Sequence, residues 1–482
     1  MWNSAFWILL ADWVLIVVFS VLIILRTRTV GATLAWLMVI LLFPFGGAII
    51  YLLLGENRLS KRRAQWAIQR RRDYARWRSR QIPHQFDDWP DPTSDLAQMS
   101  RMIMAASESI PLNGNQLELL KHAEDVFRSL ITDIDQAKST CYMEYYIWEV
   151  GGQADELADR LILAAQRGVD CKVLVDAVGS GGFWRSKQAK QMRAAGVQLH
   201  AALPVNLFRA LLYRFDLRLH RKLVVIDDKI GYTGSQNMAD PKFFRRGAGF
   251  GQWVDAMVRI EGPAVDALLM IFVEDWHYET DRLPHSDSPE TKFPTPQATG
   301  KTVVQVVPSG PGLDAEAIVQ ILIGAIYSAD HQLTITTPYL VPDESLQRAL
   351  ISAARRGVEV TIVIPQRVDS RLVRLASQAP IRELVAAGIR VARYRKGMLH
   401  TKSISIDGEI SIFGSLNLDP RSMQLNFELM LVMYDQQFTK ELLSLQADYL
   451  SHSDVMLPSD QKSPSLPVRF LESCARLISP LL

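Results

Sequence analysis

One short pattern occurs twice in this chain, 180 residues apart, and that duplication limits what the 482 residues can fold into. The first copy reads His220-Arg221-Lys222-Leu223-Val224-Val225-Ile226-Asp227 and is followed by Gly234-Ser235-Gln236-Asn237. The second reads His400-Thr401-Lys402-Ser403-Ile404-Ser405-Ile406-Asp407 and is followed by Gly414-Ser415-Leu416-Asn417. The surroundings repeat as well: Tyr146-Ile147-Trp148 with Tyr339-Leu340-Val341, Arg167-Gly168-Val169 with Arg356-Gly357-Val358, and Ala194-Ala195-Gly196-Val197 with Ala386-Ala387-Gly388-Ile389. A repeat unit this long signals a duplicated domain and not a solenoid. Within each unit apolar β-rich runs alternate with helical runs. That order predicts an α/β fold with helices layered on a mixed sheet, and two such halves packed face to face.

The residues after each histidine are β-branched and apolar, so each motif lies on a strand. Positions i and i+2 of a strand share a face, which points His220 with Lys222, and His400 with Lys402, into one site. Asp227 and Asp407 complete the motifs seven residues on, with opposite parity; among the candidate catalytic residues they are the ones suited to fixing backbone. Ser235, Asn237, Ser415 and Asn417 offer hydroxyls and amides at a turn, donors suited to phosphate oxygens. A lone H-x-K recurs by chance, but two copies with the same trailing residues inside a wider repeat point to chemistry. One imidazole can attack while the other moves protons, and two lysines neutralise a phosphodiester. Nothing in this set calls for a metal or another cofactor.

Residues 5–25 form an apolar run broken by Asp12, and residues 30–54 form a second with no charge, each long enough to cross a bilayer as helix. The first lacks the basic start and small-residue cleavage site of a signal peptide, so an anchor is the better reading. Asp12 fits a near-interface carboxylate better than a functional one. Pro44, Gly46 and Gly47 predict a kinked or re-entrant second segment. Residues 56–80 hold ten Lys/Arg against two acids, with Trp66, Tyr74 and Trp77 interleaved. The positive-inside rule places this flank, and the body after it, in the cytoplasm, and the same charges suit anionic lipid. Residues 81–482 carry a net charge of −7, which disfavours nucleic acid as partner. Three cysteines without paired spacing exclude a disulfide framework. The boundaries read as 1–55 anchor, 56–130 basic segment and linker, 131–285 first repeat, 286–301 linker, 302–460 second repeat, and 461–482 an amphipathic tail. Two stretches mix apolar with basic residues, 205–219 before His220 and 469–482 at the end. Each suits either an interfacial helix or one packed on the core.

The paired H-x-K-x-x-x-x-D motifs with trailing Gly-Ser-x-Asn resemble those of the phospholipase D superfamily. Over essentially the full length, including Gly251-Gln252-Trp253-Val254-Asp255 and Pro308-Ser309-Gly310-Pro311, the chain is similar to the superfamily's cardiolipin-forming, membrane-anchored bacterial branch. That resemblance implies two phospholipase D-like mixed-sheet domains sharing one active site behind an anchor of two hydrophobic helices in the bacterial inner membrane. It implies phosphatidylglycerol and anionic membrane lipids as partners, and transfer of a phosphatidyl group from one phosphatidylglycerol to another through a phosphatidyl-histidine, with His220 attacking and His400 serving as acid then base. It also makes Asp255 and Glu428 the carboxylates that orient the imidazoles. A hydrolase with the same residues, a non-catalytic membrane scaffold and a nuclease are the competing readings. Two intact motifs argue against the scaffold, and the anchor with the acidic body argues against the nuclease.

Overall fold

The structure, a computed structural model, describes residues 4–25, 30–55, 81–205, 216–245, 247–282, 297–311, 315–460 and 464–477. It divides into two compact units, residues 1–65 with 205–217 and residues 66–204 with 218–482. The basic run 56–80, residues 206–215 of the mixed apolar and basic stretch before His220, the linker residues 283–296 and the end of the tail from 478 lie outside the described residues.

In the small unit, α1 (Ser4–Ile24), α2 (Val30–Leu42) and α3 (Pro44–Ile50) pack together and end in a π-helical turn, Tyr51–Gly55. The expected second hydrophobic helix is cut at Pro44, which cannot donate into a continuing helix and starts α3 instead. Pieces of 13 and 7 residues result, each shorter than a bilayer crossing requires. Among the described residues no helix is long and apolar enough to cross a membrane, so the expected anchor of two spanning helices is not confirmed. The core of this three-helix cluster is Phe19, Ile23, Ile40, Ala48 and Tyr51, with the Tyr51 ring edge-on to Phe19 and Trp36. Outside that core Trp7, Trp13, Leu25 and Phe43 are exposed.

The large unit is the duplicated α/β body. Its first half contributes β1 (Leu112–Leu120), β2 (Thr140–Tyr145), β3 (Asp170–Asp176), β4 (Gln198–Ala202), β5 (Arg218–Leu219), β6 (Lys222–Ile226), β7 (Ile230–Gly234), β8 (Trp253–Val254) and β9 (Met257–Glu261). The second contributes β10 (Thr302–Ser309), β11 (Gln332–Thr336), β12 (Glu359–Pro365), β13 (Arg390–Tyr394), β14 (Met398–Leu399), β15 (Lys402–Ile406), β16 (Ile410–Gly414), β17 (Asn426–Tyr434) and β18 (Ser453–Val455). The halves have one topology: β1-β9-β7-β6-β2-β3-β4 matches β10-β17-β16-β15-β11-β12-β13, and β1 pairs antiparallel with β10 so that the two sheets run on as one. β2, β3 and β4 are parallel, as are β11, β12 and β13, while β6 and β15 run against them.

The repeated tripeptides are the turns that return each helix to its strand. Gly168, Gly196, Gly357 and Gly388 all sit at φ between 92° and 97°. After each, the following residue donates back into the helix, as Val169 does to the Ala164 carbonyl and Val358 to that of Ala353. This is the left-handed glycine stop, where a side chain is strained. Outer helices cover each sheet, 123–136, 153–166 and 187–194 on the first half and 315–327, 344–355 and 371–386 on the second. Helices 264–280 and 436–451 lie in the core that both halves share. Residues 81–130, read from composition as basic segment and linker, instead belong to this body. Gln81 is buried with its amide on Asp266, helix 95–107 buries Met99 and Ile103 in the second half's core, and β1 starts the sheet at Leu112.

Candidate active site

The site is built where two short parallel pairings cross between the halves. β5, immediately before His220, pairs with Asn426 and Phe427, immediately before Glu428. β14, immediately before His400, pairs with Trp253 and Val254, immediately before Asp255. Each histidine's backbone N–H then bonds the carbonyl that precedes the other half's acid: His220 to Phe427 at 2.9 Å and His400 to Val254 at 2.8 Å. The side chains follow. His220 Nδ1 lies 2.9 Å from Glu428 Oε2, and His400 Nδ1 lies 2.7 Å from Asp255 Oδ1. The family resemblance pointed to these acids; the structure places each against the histidine of the opposite repeat.

Lys222 and Lys402 are buried, and each Nζ donates to the carbonyl of its own motif's histidine at 2.6 Å. Each histidine feels the charge of both lysines, so the two motifs lie near one another. Burial lowers the proton affinity of both imidazoles, opposed by the paired carboxylates, and His220 comes down to about 4. Burial raises Glu428 and Asp255, but the histidine and lysine beside each more than offset this, and both stay below the usual carboxylate range. At neutral pH each site half therefore holds a neutral imidazole whose Nδ1–H is directed at a carboxylate, leaving Nε2 available. Trp253 stacks on His400 at 4.1 Å, and Tyr146 lies 5.0 Å from His220.

The structure sets apart two groups that the sequence placed in the site. Asp227 and Asp407 do not reach it. Their carboxylates accept the backbone N–H groups of Lys138, Ser139 and Thr140, and of Asp330, His331 and Gln332, at the start of β2 and β11. Both also occupy the left-handed hairpin position, φ 51° and 49°, which aspartate tolerates. They fix backbone, as their parity implied. The serines were expected to face phosphate, yet Ser415 donates to Glu428 Oε2 at 2.5 Å and Ser235 Oγ is 3.2 Å from the Ala256 carbonyl. Asn237 fits better: it accepts the Ile147 N–H at 3.2 Å while its buried Nδ2 has no partner, whereas the unpartnered buried atom of Asn417 is its amide oxygen, an acceptor, and its side chain bonds Asp419. Asn426, absent from the sequence reading, donates to Glu428 Oε1 at 3.2 Å.

Arg221 was also passed over, because an arginine inside the motif reads as a solvated charge. It is buried, with its guanidinium on Asp275, on the Glu428 carbonyl at 3.1 Å and on the Ser309 carbonyl at 3.1 Å. It therefore fastens the first half to the backbone of the acid that serves His220. Arg221→Met is expected to destabilise the detergent-solubilised chain by about 3 kcal/mol, because the buried bonds to the Glu428 and Ser309 carbonyls are lost and the half-buried Asp275 loses its ion pair. Chemical denaturation checks this, and adding Asp275→Leu should restore part of the loss.

Burial lowers Lys222 to about 8 and Lys402 to about 7. As pH rises through that window the lysines lose the charge that attracts a phosphodiester. kcat/KM should therefore fall above about pH 7–8. Bound anion holds the protons on, so the alkaline limb of kcat should lie at higher pH. Coincident limbs would show that these lysines do not meet the substrate's charge.

A family model described as cardiolipin synthase, PLD-like domain, matches residues 130–276 and 322–446, one copy of the motif in each range. Another, described as phospholipase D-nuclease N-terminal, matches residues 13–56. Over 472 residues the chain is 41% identical to cardiolipin synthase A of Pectobacterium carotovorum, covering 98% of this chain and 97% of that protein. It is 42% identical over 472 residues to cardiolipin synthase A of Erwinia tasmaniensis, with the same shares of each covered. A crystal structure of phosphatidylserine synthase from Haemophilus influenzae Rd KW20, 17% identical, superposes with a TM-score of 0.61 over 80% of this chain and 100% of that one, a likeness of fold.

Proposed function

This chain belongs to the cardiolipin synthase family of phospholipase D-like proteins, and from that premise we propose that it joins two phosphatidylglycerol molecules into cardiolipin and releases glycerol. The observation that carries the mechanism is the crossed pairing, His220 with Glu428 and His400 with Asp255. In the first step His220 Nε2 attacks phosphorus, the bond from phosphorus to the glycerol oxygen breaks, and His400 gives that oxygen its proton. In the second, His400 takes the proton of the acceptor hydroxyl, whose oxygen attacks phosphorus and breaks the phosphorus–nitrogen bond. The arriving phosphate anion favours the protonated His400 that the first step needs. Glu428 and Asp255 hold the rings by Nδ1 and balance the imidazolium charge. Lys222, Lys402 and the Asn237 amide meet the charge on the phosphoryl oxygens.

The exposed tryptophans and aliphatic residues of α1–α3 support attachment of the small unit to the bilayer, since soluble surfaces seldom leave so much apolar area bare. We place this cluster as an embedded helical hairpin with the basic run 56–80 and the body on the cytoplasmic side of the bacterial inner membrane. Wild-type chain in vesicles of labelled phosphatidylglycerol should yield cardiolipin and free glycerol by thin-layer analysis, and excess glycerol should reverse the reaction. Phosphatidic acid as chief product, with no cardiolipin, would make the chain a hydrolase.

A further inference from the structure

The helix 466–477 has two faces. Ala475 is buried against Val341, Val373 and Ala376, and Glu472 is buried and held by Arg382 at 3.2 Å, so this side is fixed to helix 371–386. On the opposite side Leu466, Phe470 and Leu477, four and seven residues apart, form one stripe. They are 80%, 69% and 81% exposed. Arg469 and Arg476 run along the edge of that stripe, seven residues apart. An amphipathic surface of this kind, apolar in the middle and basic at the margin, matches an anionic bilayer in both hydrophobicity and charge.

Its place in the fold points the same way. His220 and His400 each precede a strand that runs against β2 or β11; Tyr145 pairs with Lys222 and Thr336 with Ser403, so the site opens at the C-terminal ends of β2 and β11. Val341 follows the end of β11, and Val373 lies in the first turn of the helix that follows β12, so the clamp on Ala475 is at that end too. Tyr339 packs both on this patch and in the cluster of Trp253, the residue stacked on His400. At the same end the loops after β2 and β3 expose Val150 and Val178. Arg367, Arg371 and Arg374 are exposed around the start of helix 371–386, in a body that is otherwise net acidic.

We infer that the outer face of helix 466–477 rests on the anionic lipid surface and turns the mouth of the catalytic body toward the bilayer that supplies its substrate. This membrane contact belongs to the body itself, separate from the N-terminal helices, and it rests on the lipid substrate proposed above. Leu466, Phe470 and Leu477 enter the headgroup boundary while Arg469 and Arg476 meet lipid phosphates.

The test uses the full chain with Cys474→Ser, which leaves the buried Cys141 and Cys171. A spin label at Phe470→Cys is compared with one at Glu359→Cys, an exposed position at the start of β12, away from the mouth. In vesicles of phosphatidylglycerol and phosphatidylethanolamine, the label at 470 should be relaxed several-fold more by oxygen than by a water-soluble nickel chelate, and the label at 359 the reverse. Equal ratios at the two positions would overturn the inference. So would dipolar broadening at 470 without a gain in oxygen contact, which would mean that a second copy of the chain covers the stripe. In activity, Phe470→Glu with Leu477→Glu should cut turnover of vesicle lipid about tenfold or more, with turnover of micellar short-chain phosphatidylglycerol within about twofold of wild type. Equal losses on both substrates would assign the helix to structure alone. Cardiolipin formation by wild-type chain in the same vesicles reports separately on the reaction.

Discussion

His220→Ala is expected to lower cardiolipin formation by at least about 10⁴-fold, and His400→Ala by a comparable factor, because one removes the attacking nitrogen and the other the proton carrier. The two losses should separate on a phosphatidyl ester whose leaving group is an activated phenol. That leaving group departs without a proton, so the His400→Ala chain should release a burst of one equivalent of phenol and keep radiolabelled phosphate on the protein. The His220→Ala chain should do neither. Label retained by the His220→Ala chain and absent from the His400→Ala chain would exchange the roles of the two histidines. The geometry makes this contest close: both rings are buried, both donate from Nδ1 to a carboxylate, and both keep Nε2 available.

Glu428→Gln is expected to cost about 10²–10⁴-fold in kcat while leaving the fold intact, since an amide cannot balance the imidazolium and can present its NH₂ where His220 needs an acceptor. Ser415 and Asn426, which now donate to Glu428, would meet that amide too. Asp255→Asn should act likewise on His400. Crossing gives the experiment its sharpest form. With ¹⁵N-histidine labelling, two low-field Nδ1 protons are expected. The one lost in His220→Ala should also be lost in Glu428→Gln and should survive in Asp255→Asn. A signal of His220 that depends on Asp255 would mean that each acid serves its own repeat, and activity within threefold of wild type in Glu428→Gln would remove the orienting role.

Much of this was legible in the chain because it rests on local periodicity. The odd spacing of Asp227 from His220 and Lys222 set it apart from them, and its carboxylate does meet the backbone, accepting three amide protons, although His220 precedes β6 and does not lie on it. The repeat predicted two like halves, and Gly168 and Gly357 marked the same turn in each. What stayed hidden depends on long-range pairing. Nothing near Glu428 says that Phe427 will lie beside β5, so the partner of His220 could not be read from spacing. Arg221 reads as surface charge until the Ser309 and Glu428 carbonyls arrive from the other half. Hydropathy alone registers Val30 to Leu54 as a single run, but Pro44 marked a break in it, and there α2 gives way to α3. Composition assigned residues 81–130 to a basic segment and linker, although Met99 and Ile103 lie in the core.

The crossed acids also set a clock. His220 and Glu428 are 208 residues apart in the chain, so a ribosome adding about 5–20 residues per second takes about 10–40 s to make the second after the first. Until residue 400 is made the nascent chain carries an imidazole with neither a carboxylate to orient it nor a second histidine to move protons, and until residue 428 it still lacks that carboxylate. Lipid-cutting capacity appears only when nearly the whole polypeptide has been made and its two halves have closed. A truncated or stalled product is harmless to the bilayer for the same reason.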